Sequence, residues 1–115
     1  MTTAKFLTIN LPGLLCFLLY VNGSPVQEAK PEVKSHTVEI VGMKFNPAEI
    51  LVKKGDKIVF VNKDMVAHNA TEKSKKAWKS PEIAPGKSWS MTASESAEYY
   101  CTLHPVMKGK ITVKP

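Results

Sequence analysis

Cys101-Thr102-Leu103-His104-Pro105-Val106-Met107 sets a thiolate, an imidazole and a thioether in one seven-residue stretch. A second imidazole, His68, lies upstream in a different segment. Two histidines, one cysteine and a weak axial methionine are the ligand set of a blue-copper electron-transfer centre. The chemistry needs these types because Cu(I) and Cu(II) prefer different geometries. Imidazole suits both states, thiolate is a strong soft donor, and a weakly bound thioether tunes the potential. Taken singly, each residue has a plainer use. His104 is then an ordinary loop histidine, Met107 a core filler, and Cys101 an inert buried thiol or half of a dimer disulfide. Taken together, His68, Cys101, His104 and Met107 point to one copper ion per chain. A zinc site would ask for more thiolates or a carboxylate.

The elements that must position these residues read as short strands. Val38 to Val41 forms a first strand and Glu49 to Lys53 a second. Lys54-Gly55-Asp56 is a turn, with residue types that corners favour. Lys57 to Asn62 is a third strand, buried along most of its length, and it leads into His68. Residues 69–80 are open between a short helix and an irregular loop. Pro85-Gly86 marks a turn, and Lys87 to Thr92 alternates polar and apolar as a half-buried strand does. Ala97 to Cys101 and Lys108 to Val113 are the last two strands. This pattern, without a long amphipathic helix, predicts an all-β sandwich. Within it Trp89 is expected in the core, and His36 at the surface where a strand starts. Asn69 is expected to tie the His68 segment to the Cys101 loop, since ligand orientation needs outer hydrogen bonds.

The chain has 115 residues and a formal net charge of +6. Residues 1–23 read as a cleavable signal peptide: Lys5 is followed by an apolar run that Pro12 interrupts, too short for a spanning helix. Residues 24–35, rich in Pro, Glu and Lys, are expected to be a flexible tail, and residues 36–115 the folded domain. Loss of the signal would remove Cys16 and leave Cys101 as the lone thiol, for which metal ligation is the economical use. Every basic residue is lysine. Scattered lysines without arginine do not read bases bidentately, so no nucleic-acid partner is expected. Only Lys73, Lys75, Lys76 and Lys79 cluster as a candidate docking patch.

Gly42-Met43-Lys44-Phe45-Asn46-Pro47, Lys54-Gly55-Asp56-Lys57, Val61-Asn62-Lys63-Asp64, His68-Asn69 and Cys101 to Gly109 together resemble the plastocyanin/azurin-type cupredoxins. Among these the amicyanins share the compact Cys-x-x-His-x-x-Met loop. The resemblance covers about residues 41 to 114 and departs from amicyanins at Ala67 and over residues 69–80. It implies a Greek-key sandwich with a type 1 copper site at His68, Cys101, His104 and Met107. It also implies a soluble, monomeric periplasmic electron carrier, not an enzyme and not inserted in a membrane. The expected partners are redox proteins, such as a cytochrome, a dehydrogenase or a copper-containing reductase, docking near His104, Pro105 and Val106. A copper chaperone or copper sink is the alternative function, and the lack of a methionine-rich tract argues against it.

Overall fold

Apolar side chains at alternate positions, with polar residues between them, fold this chain as strands that bury one face. The computed structural model describes residues 32–115. The expected signal peptide and most of the expected tail lie outside the described residues. The elements in order are β1 (Ser35–Val41), β2 (Lys44–Asn46), β3 (Glu49–Lys53), β4 (Lys57–Asn62), β5 (Thr71–Glu72), β6 (Ser88–Thr92), β7 (Ala97–Tyr100) and β8 (Lys108–Lys114). They form two four-stranded sheets, ordered β2-β1-β4-β6 and β3-β8-β7-β5. Both sheets are mixed, with β1 parallel to β4 and β3 parallel to β8. Hairpins join only β1 to β2 and β7 to β8; every other connection crosses from one sheet to the other. The expected all-β sandwich is what forms.

The core lies between the sheets. Val38, Ile40, Phe45, Ile58 and Phe60 from one sheet meet Val52, Tyr99 and Ile111 from the other. Phe45 and Phe60 both approach Tyr99 edge-on, with ring centroids 4.7 and 5.3 Å away. Such aromatic pairs add to the free energy of area burial by about 0.5–1.5 kcal/mol each. Trp89 stacks on Phe60 at 5.9 Å, as its alternation predicts, and Trp78 lies 5.8 Å from Tyr99.

Two short strands are not evident from the pattern. β2 follows β1 through a tight turn in which Gly42 and Met43 both have positive φ, 63° and 61°. Positive φ at both central residues marks a type I′ hairpin turn, whose twist matches the flanking strands. Residues 69–80, open between a short helix and an irregular loop, are a loop that carries the two-residue strand β5. The Glu72 carboxylate turns inward and accepts hydrogen bonds from the backbone N–H groups of Ser74, Lys75 and Ala77 and from the Ser74 hydroxyl. Of these donors the Ala77 N–H is one that a helix begun at Glu72 would need for its own ladder, and the carboxylate takes it.

At the end of the sandwich where β4 begins, His36 is not the plain surface residue expected. It is half-buried, and its Nε2 lies 2.9 Å from Oδ2 of buried Asp56. Asp56 also accepts the N–H groups of Lys34 and Lys53, which ties the start of β1 to the β3–β4 turn.

Tyr99 sets one strict requirement. It pairs with Gly109 on β8, and any Cβ at Gly109 would overlap the Tyr99 ring. Gly109→Ala is therefore expected to destabilise the fold by about 1–3 kcal/mol, as core overpacking does. Denaturant unfolding measures this, and an unchanged midpoint would show that the ring moves freely.

Asp56 and Glu72 yield a pH dependence. The Lys53 N–H and then the His36 side chain hold Asp56 at about 2, against an ordinary 3.8. The Ala77 N–H and then the Ser74 hydroxyl hold Glu72 at about 2, against 4.5. A carboxyl with a depressed folded pKa stabilises the fold above its unfolded pKa and ceases to do so as pH falls through the folded one. Stability of the copper-free protein is expected to fall between about pH 4.5 and 2. Asp56→Asn with Glu72→Gln is expected to flatten that slope in denaturant midpoints recorded across the window.

Candidate metal centre

The β7–β8 hairpin ends in a loop whose backbone explains the spacing of its side chains. The N–H of Cys101 donates to the carbonyl of Met107 at 3.1 Å and closes the loop at its base. Inside it, the His104 N–H donates to the Cys101 carbonyl at 3.2 Å, and the Met107 N–H to the His104 carbonyl at 2.9 Å. The Cys-x-x-His-x-x-Met spacing is thus two successive turns, each closed from residue i to i+3. Cys101 and Met107 are buried, and His104 is half-buried.

His68 arrives on the connection between β4 and β5. β4 carries the chain toward it, and its backbone forms an antiparallel bridge with Ile83. The ring is fully buried. Its Nδ1 lies 3.9 Å from Cys101 Sγ, and Nδ1 of His104 lies 3.8 Å from the same sulfur. The donor atoms of His68, Cys101 and His104 all fall within 4.8 Å of one another. Donors about 2.0–2.3 Å from a shared ion have such separations, so the three residues fit a soft transition metal. The structure brings three of the four expected residues to one point and roots Met107 at the base of the same loop. His36 is remote, at the far end of β1.

Three polar residues hold this arrangement. Asp64 Oδ2 accepts from His68 Nε2 at 2.9 Å, which leaves Nδ1 free to face the sulfur. The same carboxylate accepts the N–H groups of Gly42 and Met43 at 2.7 and 3.0 Å, so it fixes the β1–β2 turn as well. Burial alone would raise the Asp64 carboxyl, but the Met43 and Gly42 N–H donors, with His68, outweigh it and hold the group below its ordinary range. Asn62 is fully buried at the end of β4. Its Nδ2 donates to the carbonyls of Val66 and Ile83, and its Oδ1 accepts from the Asp64 N–H. Asn69 plays the expected tie: Nδ2 donates to Thr102 Oγ1 at 2.7 Å and Oδ1 accepts the Thr102 N–H at 2.9 Å. The Asn69 N–H also points at Cys101 Sγ, 3.4 Å away, where it stabilises a thiolate. The residues alone do not reveal the anchoring role of Asp64 and Asn62, because most of their partners lie in other segments. A carboxylate four residues before a candidate histidine is the only local hint.

Leu103 and Val106 flank His104 in the loop and are exposed, Val106 at 83%. Met43, Met65 and Val66, in the segments that Asp64 and Asn62 hold beside His68, are exposed too.

Asp64→Ala is expected to lower copper affinity roughly 10- to 100-fold, the usual cost of removing an outer hydrogen-bond partner. A chelator-competition titration reads this. Unchanged affinity would mean that His68 is oriented without Asp64.

Comparison with known proteins follows the same lines. A sequence profile described as "Copper binding proteins, plastocyanin/azurin family" matches residues 32–114. Amicyanin of Paracoccus denitrificans is 32% identical over 97 residues, covering 79% of this chain and 74% of its own. Amicyanin-alpha of Methylorubrum extorquens is 34% identical over 95 residues, covering 77% and 78%. Among solved structures, a Cu(I) mutant of amicyanin superposes with a TM-score of 0.65 at 30% identity, covering 70% of this chain and 82% of that one. A reduced tryptophan-to-tyrosine mutant of amicyanin gives 0.65 at 31%, with the same coverage. With this sandwich, this donor cluster and a match along nearly all the described residues, the chain belongs to the plastocyanin/azurin family of copper-binding proteins.

Proposed function

We propose that His68, Cys101, His104 and Met107 together bind one copper ion, and that the chain is an exported, periplasmic one-electron carrier between larger redox proteins. One observation carries this reading. A thiol and two imidazole Nδ1 atoms converge within 4.8 Å, buried except where His104 reaches the surface. Bound copper supplies the Cu(I)/Cu(II) couple. Cys101 supplies the thiolate, with the Asn69 N–H stabilising its charge. His68 is held by Asp64 in one tautomer and one orientation. Met107, buried at the base of the loop, would supply a weak thioether donor. With copper bound, the centre would take one electron from a reduced partner and pass one to an oxidised partner, with no bond made or broken.

Because the protein fills all four donor positions, none is left for a substrate, and the chain acts as a carrier rather than an enzyme. Full burial of His68 and Cys101 favours keeping the ion over handing it on, which supports transfer of electrons rather than of copper. Docking takes place over His104, Pro105 and Val106, inside the exposed apolar rim. Weak redox encounters need only small contact areas, and a monomer presents this one freely.

The test is Cys101→Ser, which exchanges a soft donor for a hard, poorly ionised hydroxyl. The copper-loaded wild type is expected to absorb intensely in the visible. The variant is expected to stay folded and lose both the colour and rapid redox cycling. A variant that keeps the colour with full copper would overturn the ligand assignment.

A further inference from the structure

The loop after β5 displays a basic surface beside the ligand loop. Glu72 fastens residues 74–77 from within, as described above. Lys76 there adopts a left-handed conformation, φ 54°, which lysine rarely takes. This aims its Nζ at the Tyr100 hydroxyl, 3.4 Å away, and 5.8 Å from the centre of the Tyr100 ring. Tyr100 is the chain neighbour of Cys101. Next to it lies a notch of about 230 Å³ bounded by Lys73, Tyr100, Pro105 and Lys108. Pro105 belongs to the ligand loop, so the notch adjoins the docking end.

The residues lining the notch include two lysines and no acid. Of the nearby acids, Glu72 is turned inward with its oxygens occupied, and Glu98 reaches only Lys73, at 3.8 Å between exposed groups. Exposed pairs of this kind are weak and give way to a better partner. The larger neighbouring groove is different: Glu72, Lys73, Glu98 and Lys110 mix both signs along it.

We propose that this notch, with Lys76 standing over Tyr100, receives carboxylate side chains of an acidic redox protein and so orients that protein on the His104 end. The inference rests on the docking reading above and adds the chemistry of the partner. A notch of this size admits one or two carboxylates, not a phosphate backbone. Lys76 also covers the Tyr100 face on which a base would stack. The structure therefore favours an acidic protein over a nucleic acid.

The test is an amide chemical-shift titration of the Cu(I)-loaded protein with a hexaglutamate peptide. Shifts are expected to concentrate at Lys73 to Lys76, Tyr100 and Lys108. Binding is expected to weaken strongly as ionic strength rises from about 0.02 to about 0.2 M, where screening shortens markedly. Lys76→Glu and Lys108→Glu are each expected to lower affinity roughly five- to tenfold, by charge reversal at an exposed site. Lys54→Glu, in the turn at the opposite end, is expected to change it by less than about twofold, being beyond the screening length. If Lys54→Glu matched Lys108→Glu, the attraction would be net charge alone and the notch would be discarded. Displacement of the peptide by a short oligothymidylate at equal charge would overturn it in favour of nucleic acid. The titration does not read copper colour, so a failure here is distinct from a failure of the Cys101→Ser experiment.

Discussion

Tyr99 faces Gly109 and Tyr100 faces Lys108, and that register of β7 against β8 allots seven residues to the loop between them. The metal centre depends on this pairing. A slip of one residue would send every side chain of a strand to its opposite face, moving Tyr99 out of the core and Cys101 out of the cluster. The register is secured by fit: the Tyr99 ring lies where only a glycine can oppose it, and Phe45 and Phe60 grip the same ring from the other sheet. The aromatic core and the donor loop are therefore parts of one constraint. Core packing is rigid because filled interiors leave side chains few alternatives, and that rigidity is passed to Cys101 two residues further on.

Buried polar groups then complete what packing cannot direct. Asn62, Asp64 and Asn69 each connect segments distant in sequence, and each has its hydrogen-bonding groups satisfied. A satisfied buried network specifies one arrangement, whereas a partly satisfied one is costly. Asp64 illustrates the economy of the design. One carboxylate holds both N–H groups of the Gly42–Met43 turn and the outer nitrogen of His68. Hairpin geometry in one sheet is thereby coupled to imidazole orientation at the metal centre. For a carrier that exchanges electrons, fixed donor positions limit the rearrangement between oxidation states.

The two ends of the sandwich differ in character. The end where β4 begins is closed by His36, Asp56 and the turn after β3, and its polar groups are spent on the fold. The other end exposes apolar side chains around His104 and lysines around Tyr100. Apolar rims give a weakly bound partner area to bury, and charge at the flank gives it an orientation.

The sequence by itself determined the sandwich class, most strand positions and the donor loop. Alternation is a local signal, and three of the four expected donors lie within seven residues, so both can be read along the chain. It also determined the copper chemistry, because donor types decide which metal is preferred. Asn69 was legible as a tie between segments since it directly follows a candidate ligand. Only the tertiary structure decided that Asp64 and Asn62 anchor His68, that residues 69–80 form β5 and a Glu72-centred turn rather than a helix, and that His36 closes the far end with Asp56. The reason is common to all of these. Each depends on which donors and acceptors meet across sheets or along a folded loop, and a polar residue's partner is set by the packing of the whole rather than by its neighbours in the chain.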